Sequence, residues 1–200
     1  MQAPDPKPLR LLEQHWLAIR DEALAMRGEM FPWRNLEIYS SGWFTGPFYS
    51  HTRAVRGRFR RECPVTVGLL DQLMADGELG LVSAGFSCIA PHSATHLHRN
   101  DDGYAWRVHL GLRIPEGDVG LTVDGAVHRW QEGRSLIWDP TLPHKAWNHT
   151  DHDRHLLLLD FFRPEHPREE MIAMMHRITA AQSKTSAGFT GLRLPDEDAG

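Results

Sequence analysis

Two hundred residues suffice for one domain with a sizeable core. With 22 basic against 26 acidic side chains and a formal charge of -4, the chain has no basic stripe for nucleic acid and no polybasic patch for an anionic membrane surface, so neither partner is expected. Two cysteines make no disulfide framework, the start MQAPDPKPLR lacks the apolar run of a secretory signal, and HLLLLDFF is broken by Asp160, so a cytoplasmic location is predicted.

Residues 1–9 are Pro-broken and read as a flexible N-terminus. Over 10–27, Leu12, Trp16, Ile19, Ala23 and Met26 recur at intervals of three and four, which predicts a core-packing helix. The Gly-, Pro- and aromatic-rich segment FPWRNLEIYSSGWFTGPFY predicts short strands and turns. A second helix is expected over 64–76, with Pro64 near its start. From about residue 79 short alternating runs follow one another: GLVSAGFSCIA, AWRVHLGLRI, VGLTVD, AVHRWQ, RSLIWD, HKAWNH and RHLLLLDFF. Gly, Pro, Asp and Asn clusters separate them, a texture that predicts a sandwich or barrel. Helical spacing returns over 167–182 through Met171, Met174 and Ile178, and 183–200 reads as a loop-like tail. The expected architecture is one domain over 10–182: mainly β, a double-stranded β-helix (a jelly-roll or cupin-like barrel) with N- and C-terminal helices packed outside.

The run Arg107 to Ile114 alternates strictly. Val108, Leu110, Leu112 and Ile114 share one face, and Arg107, His109, Gly111 and Arg113 the other. In a barrel flanked by helices the apolar face packs under the helices and the polar face lines a pocket. Arg154 begins a similar run. Arg107, His109 and Arg154 would then form a cationic cluster suited to a dicarboxylate, because Arg grips planar carboxylates with a two-pronged fork.

Among thirteen histidines, His144 follows a Pro-rich turn at a strand start, and APHSATHLHRNDD offers His92, His96 and His98. Two histidines on neighbouring strands are the usual core of a mononuclear iron site, commonly completed by a carboxylate two residues after the first. After His98 that position is Asn100, followed by Asp101. His96 and His98 share a strand face and with His144 would make a cupin-like metal site, whereas His92 and His96 also read as a surface loop. His128, His149, His152 and His155 have no singling spacing and read as structural or solvated. Cys63 and Cys88 read as small core residues.

Ser87 in FSCIAP, His98, the strand Arg107-Val108-His109-Leu110-Gly111-Leu112, His144 and Arg154 ten residues further on resemble the aspartyl/asparaginyl β-hydroxylase family of iron(II) and 2-oxoglutarate oxygenases. The likeness covers roughly residues 10–164. Its ungapped register selects His98 over His92 and His96. The resemblance implies that His98 and His144 bind iron(II), and that Arg154 with Ser87 pairs with the distal carboxylate of 2-oxoglutarate. Arg107 and His109 would contact the iron-proximal carboxylate, with Arg107 also ordering the catalytic site. Molecular oxygen would be the co-reactant, and a C–H bond would be hydroxylated as 2-oxoglutarate becomes succinate and carbon dioxide.

Two departures qualify the resemblance. Ala105 stands where the family's epidermal-growth-factor-domain hydroxylases have Arg. Asn100 stands where bacterial lipid A hydroxylases have Asp, so two histidines plus water are expected, with Asp101 an outer or occasional ligand. The membrane anchor of the lipid enzymes is not expected here. The expected substrate is a small molecule, a peptide or a carrier-bound intermediate, with an amino acid as the simplest case. Two alternatives stay open: a cupin-type metalloenzyme that does not use 2-oxoglutarate, and a non-catalytic ligand-binding barrel.

Overall fold

The computed structural model describes residues 7–33, 35, 37–77, 80–100, 103–165 and 167–175. The helices are α1 (Lys7–Gln14), α2 (Trp16–Ala25), α3 (Arg58–Glu62) and α4 (Pro64–Asp76), and residues 168–175 are also helical. The strands are β1 (Phe31–Pro32), β2 (Trp43–Ser50), β3 (Arg53–Ala54), β4 (Leu81–Ile89), β5 (Ser93–Ala94), β6 (Ala105–Arg113), β7 (Val119–Val123), β8 (Ala126–His128), β9 (Ser135–Trp138), β10 (His144–Asn148) and β11 (Arg154–Phe162). They pair in two antiparallel sheets. The larger runs β1-β2-β4-β11-β6-β9, with β3 on β2, and the smaller runs β5-β10-β7-β8. This is the double-stranded β-helix the sequence predicts.

The N-terminal helix differs from expectation. It begins at Lys7 rather than residue 10, with Leu9 buried, and it breaks at His15. The His15 ring Nδ1 bonds the Leu11 carbonyl (2.9 Å), which an unbroken helix would offer to the His15 backbone N–H. That N–H turns instead to the Leu12 carbonyl. The predicted stripe survives the break, since Leu12, Ile19, Ala23 and Met26 are all buried. Glu22 on α2 then accepts the backbone N–H groups of Val65 and Thr66 at the start of α4 (2.8 and 2.9 Å), so an acid from one helix satisfies the open N-terminus of the next.

These helices cover one face of the larger sheet. Val108, Leu110 and Leu112 of β6 are fully buried in one cluster with Ile19, Ala23 and Leu70, while β6's other face turns toward the smaller sheet. Alternation therefore sends the apolar side chains under the helices and the polar ones into the space between the sheets. Gly111 serves this arrangement by having no side chain. A Cβ there would sit 2.2 Å from the Gln131 carbonyl oxygen, and the Gly111 backbone bonds Gly133 and Arg134 on that same loop. Gly111→Ala is expected to destabilise the fold by about 2 kcal/mol, because rigid backbone must move to admit the methyl group; urea denaturation measures it.

Met175 is buried against Val82 and Phe162, whereas Met171 and Met174, which the helical spacing singles out, are half-buried. Ile178, Asp101, the first six residues and the tail over 183–200 lie outside the described residues. Among the described residues no helix is long and apolar enough to cross a membrane.

Candidate active site

The space between the sheets is lined by Ser87, His98, Arg107, His109, His144 and Arg154, together with Trp43 and Trp138. All six residues singled out from the sequence thus meet in one cavity. β4 and β11 bring Ser87 and Arg154 from the larger sheet, and β6 brings Arg107 and His109. His144 opens β10, and His98 pairs with it through reciprocal backbone bonds (His98 N–H to His144 O, 3.0 Å; His144 N–H to His98 O, 2.8 Å).

The backbone orients both rings of this pair. His98 Nδ1 bonds the His96 carbonyl and His144 Nδ1 the Leu142 carbonyl, each at 2.8 Å. A carbonyl only accepts, so each Nδ1 carries the proton and each Nε2 keeps its lone pair. The rings lie 4.2 Å apart, and buried His144 Nε2 has no hydrogen-bond partner. Burial lowers the basicity of both imidazoles, His144 to about 4, so both are neutral at physiological pH. Two neutral, adjacent imidazoles with matched free lone pairs are a donor set that fits a divalent transition metal.

Across the cavity Arg154 is 2% exposed. Its guanidinium stacks over Trp130 at 4.9 Å, and its Nε and Nη1 have no hydrogen-bond partner. Burial lowers its pKa to about 10, which leaves it charged at neutral pH. A buried cation with open donors is costly, and an anion that reaches it recovers that cost. Ser87 Oγ accepts the Trp43 indole N–H (3.0 Å), so its own proton is free to turn to such an anion.

Arg107 is in a different state. Its Nε and Nη2 bond the two oxygens of Asp160 (2.8 and 3.1 Å), and Ser83 Oγ donates to the same carboxylate (2.8 Å). Arg107 is thus fixed and balanced in charge, whereas Arg154 is not. Asp160 stood out in the sequence only as a break in an apolar run. Its signal was there: it lies six residues past Arg154, on the same strand face. Trp43, Trp130 and Trp138 were missed as site residues. Trp138 packs against both His144 (4.5 Å) and His109 (5.3 Å).

The other histidines lie elsewhere. His92 is exposed and meets Asp151. His96 engages both ring nitrogens outside the cavity, Nε2 with Ser40 Oγ (2.9 Å) and Nδ1 with the Glu37 carbonyl (3.0 Å). His155 is buried on the helix side of the larger sheet, near Cys88 Sγ (4.0 Å) and Asp153 (3.8 Å). That trio has metal-ligating chemistry, but Arg27 Nε already donates to Asp153 at 2.6 Å, so a guanidinium supplies the positive charge there. Burial raises the Cys88 thiol to about 12, and both free cysteines are buried, as expected of core residues.

Fold and cavity define a double-stranded β-helix with a histidine pair at one side of its interior and an open guanidinium at the other. Among solved structures, the same fold appears in a prolyl hydroxylase from Trichoplax adhaerens in complex with a hypoxia-inducible-factor peptide. It shares 13% identity at a TM-score of 0.54, covering 80% of this chain and 81% of that one. A Pseudomonas putida prolyl-4-hydroxylase shares 19% at 0.51, covering 76% and 87%. The chain belongs to the aspartyl/asparaginyl beta-hydroxylase family, whose pattern it matches over residues 13–164. Its curated relatives include the ornithine lipid ester-linked acyl 2-hydroxylase of Rhizobium tropici, 38% identical over 106 residues, which cover 52% of this chain and 36% of that protein. Another is the aspartate beta-hydroxylase domain-containing protein 2 of Mus musculus, 32% identical over 136 residues, 66% of this chain and 39% of that protein. The chain thus matches well under half the length of either relative.

Proposed function

We propose that this chain is an iron(II)- and 2-oxoglutarate-dependent hydroxylase acting on an amino acid, a peptide or a carrier-bound substrate. The observation that carries the reading is Arg154, a buried cation whose Nε and Nη1 lack hydrogen-bond partners, in the same cavity as two histidines whose Nδ1 bonds leave the lone pairs on Nε2. His98 and His144 would hold the iron. Arg154 and Ser87 would take the distal carboxylate of 2-oxoglutarate, and His109 would hydrogen-bond the carboxylate nearer the metal. Arg107, clamped by Asp160, would order that end of the cavity rather than supply a second unbalanced charge. Bound iron would couple the oxidation of 2-oxoglutarate by dioxygen, giving succinate and carbon dioxide, to insertion of one oxygen atom into a substrate C–H bond. The protein's part is positioning, charge and exclusion of water.

Succinate released from 2-oxoglutarate, followed by mass spectrometry with and without iron(II), tests the reading. Metal-dependent turnover supports it, and no binding of either metal or 2-oxoglutarate rejects it. A second substrate reading, hydroxylation of a fatty acyl chain at carbon 2, is favoured by the Rhizobium relative's activity. Presenting amino acids, peptides and acyl lipids in parallel separates the two. Asn100→Asp would add a carboxylate two residues past His98, and is expected to tighten metal binding about tenfold in chelator competition.

A further inference from the structure

Three histidines line the cavity, and their hydrogen-bond partners sort them into two kinds. His98 and His144 each meet a backbone carbonyl at Nδ1, an acceptor that puts the proton on Nδ1 and the lone pair on Nε2. His109 meets the opposite kind of partner. The Trp130 indole nitrogen, which only donates, lies 3.1 Å from His109 Nδ1. His109 Nδ1 must therefore hold the lone pair, and in the neutral ring the proton sits on Nε2. Full burial keeps that ring neutral. One buried side chain thus decides whether a third imidazole in this cavity accepts a metal or donates a hydrogen bond.

We propose that Trp130 is a positioning residue that commits His109 to donating its Nε2 proton toward a bound carboxylate, and thereby keeps it from competing as a third metal ligand. This rests on the reading of the cavity as a metal and 2-oxoglutarate site. Trp130 is well placed for the role. It is 5% exposed, and its ring lies under the Arg154 guanidinium as well as beside the His109 ring. The loop that follows it is pinned to β6 at Gly111, where Gly111 N–H bonds the Arg134 carbonyl (3.1 Å) and Gly133 N–H the Gly111 carbonyl (2.8 Å). Gly111 stands two residues from His109 on the same strand face, so one close backbone approach fixes the indole against the imidazole. A single aromatic residue then serves two carboxylate-binding groups: its N–H sets the proton on one, and its face supports the charge of the other.

The test uses the whole chain with histidine labelled in 15N and zinc(II) in place of iron. Long-range 1H–15N correlation reads the tautomer of each ring, and His109 is assigned by the signal lost in His109→Asn. His109 is expected to carry its proton on Nε2, and His98 and His144 on Nδ1. Trp130→Phe keeps an aromatic face under Arg154 but removes the N–H. It is expected to release His109 into a mixture of tautomers and to weaken 2-oxoglutarate binding about tenfold, measured by calorimetry with zinc present. In a His109→Ala background the same substitution should cost less than twofold, because its effect passes through His109. A wild-type His109 protonated on Nδ1 overturns the proposal even if the Trp130 variant fails to fold. So does a folded Trp130→Phe with unchanged tautomer and affinity. If wild-type protein shows the expected tautomers but binds no 2-oxoglutarate, the functional reading fails while the assignment of the His109 proton by Trp130 stands.

Discussion

Replacing Arg154 with methionine is expected to weaken 2-oxoglutarate binding by about 100-fold or more while making the ligand-free protein more stable. The two effects share one cause. In the free protein the guanidinium is 2% exposed, stacked on Trp130 and open at Nε and Nη1, so it bears a desolvation cost that the cation–π contact offsets only in part. Methionine fills similar space without charge, and relief of that cost is expected to add about 1 kcal/mol to folding stability even after the cation–π contact is lost. A bound dicarboxylate loses its two-pronged partner in the variant, a change that costs about 3 kcal/mol in a desolvated site. Calorimetry on the zinc-loaded protein gives the affinity, and urea denaturation of the ligand-free protein gives the stability. An unchanged affinity would place the distal carboxylate elsewhere, and lower stability would mean that the cation is already satisfied.

Acid should weaken the fold through histidines that are buried in neutral form. Burial outweighs the pull of Asp153 and holds His155 at about 4, against an ordinary value of 6.5. The unfolded chain therefore takes up a proton as pH falls through 6.5, while the folded chain does not until about 4. The folded state binds fewer protons across that window, so stability is greatest above pH 6.5 and declines as pH falls toward 4. One such group accounts for about 3 kcal/mol over the window. His144, also lowered to about 4, adds a loss of the same sign. Denaturation midpoints at pH 7.5, 5.5 and 4.5 should fall progressively, and His155→Leu should remove about 2.5 kcal/mol of the difference in stability between the extremes. A flat profile would mean that the folded chain takes up these protons at the same pH as the unfolded one.

Much of the site was legible because a strand's period of two is local. Knowing that Val108, Leu110 and Leu112 lie on one face of β6 settles that Arg107 and His109 lie on the other, without any tertiary information. The paired placements were not legible in the same way. Asp160 reaches Arg107 because β11 and β6 align Asp160 with Arg107 after a register shift between His155 and Leu156, and no local pattern encodes that shift. Trp130 lies outside the named strands, and its contact with His109 depends on the loop held at Gly111. The break at His15 turns on one imidazole outcompeting one backbone N–H within an otherwise continuous apolar stripe. Helix α3, with the sequence RFRRE, is too short and polar to show a periodicity, and only Phe59 within it is buried.

The reciprocal backbone bonds between His98 and His144 have a further consequence. The two imidazoles hang from a single hydrogen-bonded rung, and each is fastened by its own Nδ1 to a main-chain carbonyl. Under the proposed function they would act as the two arms of a rigid chelating pair whose bite is set when the barrel folds. A bound ion would then spend little on ordering its first two donors, and stripping it with a competing chelator should leave the bite intact and ready to reload.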